Sequence, residues 1–106
     1  MKLHEDDRRL LIDWSDAYDI ATCKIVKVKQ DCVLGEHYHK LKNERFMLIQ
    51  GSAEIQLNDK PAEPMKIGLP VLVSANTRHK FTLSKGSILL CLVDKPYDPN
   101  DDYEST

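Results

Sequence analysis

The chain has 106 residues, is 42% hydrophobic and 30% charged, and carries a net charge of −2 from 15 Lys and Arg against 17 Asp and Glu. This is the composition of a globular protein of one domain, and Lys and Arg are spread too evenly to form the basic stripe that nucleic-acid binding needs. No apolar run nears the roughly 20 residues that cross a bilayer, and the opening MKLHEDDRR lacks the apolar stretch of a secretory leader.

Residues 5–12 (EDDRRLLI) are the one stretch with helical character, and an N-terminal strand competes there. Residues 23–29 (CKIVKVK) set Val26 and Val28 on one face and Lys27 and Lys29 on the other, the period of a strand. The runs 44–49 (ERFMLI), 53–57 (AEIQL), 69–73 (LPVLV), 79–83 (HKFTL) and 87–93 (SILLCLV) follow. Within 53–57, Ala53, Ile55 and Leu57 alternate strictly with Glu54 and Gln56, and Asn58-Asp59-Lys60-Pro61 then supplies turn chemistry. Gly51, Gly68 and Gly86 punctuate the runs where strands must turn.

Many short strands separated by turn signals predict a sandwich or barrel, and closure of such a sheet hides its edges. The fold class is all-β, with residues 1–106 as one domain. The acidic run Asp98–Glu104 reads as part of a solvated tail covering about residues 98–106. Cys23, Cys32 and Cys91 are odd in number and share no C-x-x-C spacing, as expected of reduced thiols in a cytoplasmic protein. Cys91, inside an apolar run, is expected to be buried and inert.

Chemistry concentrates in Gly35-Glu36-His37-Tyr38-His39 and the residues up to Gly51. On a strand, His37 and His39 project from one face about 6.6 Å apart along the chain, close enough for two imidazoles to converge on one ion. Lys40 to Asn43 are polar turn formers that would reverse the chain and return Glu44 beside the histidines. Glu44, Phe46 and Leu48 share a face, so a carboxylate heads an apolar stripe, which is costly unless a cation pairs with it. His79 opens another such stripe with Phe81 and Leu83. A lone histidine on an apolar strand is more often a core residue, and a bare H-x-H is common; it is the conjunction that points to a metal. Three imidazoles and a carboxylate suit one divalent transition metal such as Zn, Mn, Fe or Ni without selecting among them. His4, among charges near the terminus, is expected to be exposed.

His37, His39, Glu44 and Gly51 resemble the first cupin motif, and Gly68, Ser74, Asn76 and His79 fall at the positions of the second. The resemblance covers nearly the whole chain and implies a double-stranded β-helix, the cupin or jelly-roll barrel, with His37, His39, Glu44 and His79 as metal ligands. Asp31 stands in place of the first motif's opening Gly, Ser74 and Asn76 in place of Pro and Gly, and Leu83 in place of the final Asn. None of these touches a ligand, and Asn76 is the next-best residue for a left-handed turn. Asp6-Asp7-Arg8, Lys42-Asn43-Glu44-Arg45-Phe46 and Asp94-Lys95-Pro96-Tyr97-Asp98-Pro99-Asn100 are similar to stretches of the small cupins that modify nucleotide-linked deoxysugars.

That narrower resemblance implies an isomerase or epimerase of a keto-sugar or nucleotide sugar in polysaccharide biosynthesis, with a small-molecule substrate. The alternatives are a non-catalytic ligand- or metal-sensing module and a metal-dependent dioxygenase. No residue is assigned as the catalytic base. Tyr38 points away from the ligand face by alternation, and Arg78, beside His79, either meets a substrate phosphate or is an exposed turn residue. A two-fold homodimer is expected, with the run 88–93 and Leu10, Leu11, Ile12 and Trp14 as contact surface.

Overall fold

A computed structural model describes residues 2–14 and 19–104. Its strands are β1 (Lys2–Glu5), β2 (Leu10–Asp13), β3 (Thr22–Lys27), β4 (Cys32–Tyr38), β5 (Glu44–Gln50), β6 (Ala53–Leu57), β7 (Glu63–Pro64), β8 (Val71–Val73), β9 (His79–Leu83) and β10 (Ile88–Val93). A 3-10 turn at Pro99–Asp101 and β11 (Tyr103–Glu104) complete the described chain. The all-β expectation holds, and no helix is long and apolar enough to cross a membrane.

The stretch 5–12 is a hairpin, not a helix. The Asp6 carboxylate accepts from the backbone N–H groups of Arg8 (2.8 Å) and Arg9 (3.0 Å), which offers the backbone a turn in place of helical bonds and reverses the chain between β1 and β2. Two antiparallel sheets hold the rest, one ordered β3-β10-β5-β8 and the other β11-β4-β9-β6-β7. Partners are far apart in sequence: β10 lies between β3 and β5, and β9 between β4 and β6.

Alternation explains how the sheets close on one another. Glu44, Phe46 and Leu48 of β5, Ala53 and Ile55 of β6, His79, Phe81 and Leu83 of β9, and Leu89, Cys91 and Val93 of β10 all turn inward. Apart from Glu44 and His79, they form one apolar cluster with Val28, Met65 and Val73. The polar pair Glu44 and His79 caps that cluster at one end, where the two sheets open into a mouth.

Two expectations are corrected. The run 88–93 offers contact surface on one face only: in the central strand β10, Leu89, Cys91 and Val93 are core, while Ile88, Leu90 and Leu92 are half-buried on the other face. The acidic run Asp98–Glu104 is not a solvated tail; residues 105–106 of that predicted tail lie outside the described residues. Asp98 caps the 3-10 turn by accepting from Asn100 N–H at 2.9 Å, with Pro99 at its first position. β11 then pairs with β4, Tyr103 opposite Tyr38 and Glu104 opposite His37, and the segment closes over one edge of the mouth.

Candidate active site

The four predicted ligands converge. His37 is the penultimate residue of β4 and sits opposite His79 on β9, His39 follows β4, and Glu44 opens β5 from the facing sheet. Nitrogen atoms of His37, His39 and His79 lie within 4.8 Å of one another. His37 owes its direction to a β-bulge in β4. Leu34 pairs with Phe81 and Gly35 with Lys80, but His37 pairs with His79, so Glu36 is an extra residue. Without it, Leu34 and His37, three apart, would face opposite ways; the bulge turns both inward. Gly35 (φ 99°) and Glu36 (φ 65°) carry the distortion. A Cβ on Gly35 would stand 2.6 Å from the His79 carbonyl oxygen, so only glycine fits there.

Backbone carbonyls set the tautomers. A carbonyl only accepts, so His39 Nδ1–H donates to Asp101 O (2.8 Å) and His79 Nδ1–H donates to Thr77 O (3.2 Å). In that tautomer a neutral ring directs the lone pair of Nε2 inward, and the two Nε2 atoms lie 3.0 Å (His39) and 3.6 Å (His79) from Glu44 Oε1. That oxygen is buried and no hydrogen bond reaches it, while Glu44 Oε2 accepts from the Cys91 thiol at 3.4 Å. Two lone pairs facing a carboxylate oxygen repel unless a cation lies among them. The donor set and the orphaned oxygen therefore fit a divalent metal, with carbonyls on the far ring nitrogens of the kind that metal-ligating imidazoles use.

Burial holds the pKa of His37 and of His79 below the usual 6.5, and for His37 the nearby His39 and Lys42 act in the same direction. Both rings are neutral at pH 7, the form that ligates. Burial, with the Glu44 carboxylate beside it, pushes the Cys91 thiol up to about 12, in keeping with the expected inert core cysteine.

A cavity of about 250 Å³ opens on this cluster, walled by Leu34, Phe46 and Phe81 and reached past Tyr97 and Asp102. Lys42 also lines it. Only 4% exposed, its ammonium has no hydrogen-bond or ion-pair partner among the described residues. Sequence reasoning passed over it as a turn former, and it lies in the loop just before β5. Asp101 and Asp102 were missed as well. The Asp101 carboxylate is 2% exposed, and Asp102 Oδ1 is 3.0 Å from His39 Nδ1. The N-cap and proline at residues 98–99 were the available signal of an ordered turn.

The remaining candidates fall outside the cluster. Tyr38 stacks on Tyr103, ring centroids 5.3 Å apart. Arg78 donates to Asp59 Oδ1 at 2.8 Å and to Asn58 O, contacts of a turn residue. His4 is exposed near Asp6, and Asn76 has the left-handed conformation its motif position requires (φ 68°).

Residues 4–67 match the family model of the polysaccharide biosynthesis C-terminal domain. The chain belongs to that family. No curated protein sequence matches this member of the polysaccharide biosynthesis C-terminal domain family. Its structural neighbours include cupin-fold sugar 3,4-ketoisomerases and an epimerase. A 3,4-ketoisomerase from Helicobacter canadensis superposes with a TM-score of 0.83 at 23% identity, covering 98% of this chain and 86% of the other. The 3,4-ketoisomerase QdtA from Thermoanaerobacterium thermosaccharolyticum, in complex with TDP-4-keto-6-deoxyglucose, gives 0.80 at 20% identity, over 98% and 83%. The RmlC epimerase of Mycobacterium tuberculosis gives 0.77 at 16% identity, over 97% and 64%. At these identities the likeness is one of fold, and it gives this family member the cupin fold.

Proposed function

We propose that this cupin is an isomerase or epimerase acting beside the carbonyl of a nucleotide-linked keto-sugar, with one divalent transition metal held by His37, His39, Glu44 and His79. The observation that carries the reading is Glu44 Oε1, a buried carboxylate oxygen with no hydrogen bond, facing two imidazole lone pairs at the floor of an open cavity. The fold shared with sugar ketoisomerases and an epimerase supports the substrate class.

A bound metal would supply Lewis-acid polarisation of a carbonyl and so acidify the adjacent C–H. The chain's own residues account for the rest. Leu34, Phe46 and Phe81 exclude water from one side of a sugar ring. The unpartnered Lys42 ammonium donates to the oxygen that gains negative charge as the proton leaves, and burial strengthens that interaction. A second reading has its own observation: the His37 ring has no hydrogen-bond partner among the described residues, and burial keeps it neutral. In a metal-free site it would take the proton itself.

Proton NMR in deuterated water, with a panel of nucleotide-linked 4-keto-6-deoxysugars, tests the reaction. Loss of a ring-proton signal is expected with enzyme present. Lys42→Met should slow that exchange by about 100-fold, the scale for one oxyanion donor. Glu44→Gln removes the anion and should release the ion and slow exchange. Elemental analysis separates the metal reading from the His37 reading. Absence of exchange across the panel, from folded and metal-loaded protein, would leave a non-catalytic ligand-binding module.

We further infer a two-fold homodimer. Leu3, Leu10, Leu11, Ile25 and Leu72 are exposed, and a two-stranded hairpin such as β1–β2 is marginal by itself. Light scattering should give twice the 12.2 kDa chain mass; a concentration-independent 12.2 kDa would exclude the dimer.

A further inference from the structure

We propose that Asp101 is a positioning residue that latches the C-terminal segment onto the mouth of the barrel and thereby fixes the tautomer and direction of His39. The inference rests on reading His39 as a site residue. Asp101 grips the loop on two sides of that histidine. Its carboxylate accepts from Lys40 N–H at 2.9 Å and from Leu41 N–H at 3.3 Å, the two residues that follow His39. Its own carbonyl accepts from His39 Nδ1–H at 2.8 Å. A carboxylate only 2% exposed is costly to bury, and these backbone donors are what compensate it.

The latch is reinforced on either side. Asp98 sets the turn that delivers Asp101. Beyond it, Tyr103 stacks on Tyr38, and the Lys40 ammonium lies 4.2 Å from the Tyr103 ring centroid. The segment is thus held by β4 and by the loop after it, the same stretch that carries His37 and His39. A ring whose Nδ1–H is committed to the Asp101 carbonyl, with Asp102 Oδ1 of the same latched segment also 3.0 Å from that nitrogen, can present only Nε2 to the cavity. Removing the latch frees the ring to rotate and to exchange tautomers, with no change to the apolar core. His79 provides an internal control, since its Nδ1–H is held by Thr77 O independently of Asp101.

The test compares wild type, Asp101→Ala and Asp101→Asn by histidine-selective nitrogen-15 NMR in the metal-free protein, followed by zinc titration. In wild type, both His39 and His79 should show a protonated Nδ1 and a bare Nε2. Asp101→Ala should abolish the His39 pattern, leave that of His79 intact, and weaken zinc binding 10- to 100-fold, the range for loss of an outer-shell partner. Asp101→Asn keeps one acceptor oxygen and should restore most of both, which guards against a merely unfolded alanine variant. An unchanged His39 pattern in Asp101→Ala, with zinc affinity within threefold of wild type, would overturn the proposal. If wild type shows the His39 pattern and Asp101→Ala loses it, but neither binds zinc, the latch stands and the metal reading falls.

Discussion

A His37→Ala/His39→Ala protein is expected to lose stoichiometric metal entirely, while His4→Ala retains about one ion per chain by elemental analysis. Two of three imidazoles disappear in the double variant, and the lone pair that His39 aims at Glu44 goes with them. His4 lies outside the mouth and bonds only to Asp6. Full occupancy in the double variant would refute the site. The same centre has a signed dependence on pH. Ligation needs neutral imidazole, and burial holds His37 and His79 below 6.5. Protons therefore compete with metal only at a pH lower than an exposed histidine would require. The metal-free protein should lose stability as pH falls below about 6.5, because the unfolded chain there binds protons that the folded rings refuse. Retention that begins to fail well above pH 6.5 would contradict the neutral, buried state of these rings.

Gly35→Ala should cost about 3 kcal/mol, from a left-handed conformation unfavourable to a side chain and from overlap with backbone. That corresponds to a fall in Tm of about 10–20 °C for a domain of this size. Two facts set the effect: φ at Gly35 is 99°, and a new Cβ would lie 2.6 Å from the His79 carbonyl oxygen. Because the atom it strikes belongs to the strand that presents His79, relief by movement of β9 would also displace a ligand. Metal retention should then fall more than stability alone predicts. Gly86→Ala is the contrast. It shares a positive φ but has open space at its Cβ, so it should cost only the conformational part. Equal melting temperatures for Gly35→Ala and wild type would contradict the close approach.

Much of this architecture was legible in local pattern, and the failures share a cause. Ala53 and Ile55 face in and Glu54 out, as strict alternation required, and Glu44, Phe46 and Leu48 line one face of β5 as read. The convergence was readable because Glu44 and His79 each head a strand whose apolar stripe marks the inward side, and because the H-x-H spacing of His37 and His39 sets the two rings together. The bulge was not: one extra residue at Glu36 shifts the phase of β4, and alternation has no way to flag a phase shift except through Gly35. Asp101 escaped for a different reason. Its partners His39, Lys40 and Leu41 are 60 to 62 residues away, and charge density alone makes such a run look solvated. The hairpin at β1–β2 turned on Asp6 bonding to its neighbours' amides, which competes with helix formation over the same residues.

The placement of Glu44 on one sheet and of His37 and His79 on the other has a mechanical consequence. Anything that bonds to the carboxylate and an imidazole together clasps the two halves of the sandwich at the end where they part. Occupancy and cohesion then become one quantity: a ligand at 100 times its dissociation constant adds about 2.7 kcal/mol to folding. A barrel this short, with a modest interior, thus keeps its rim shut chiefly when it has something to hold.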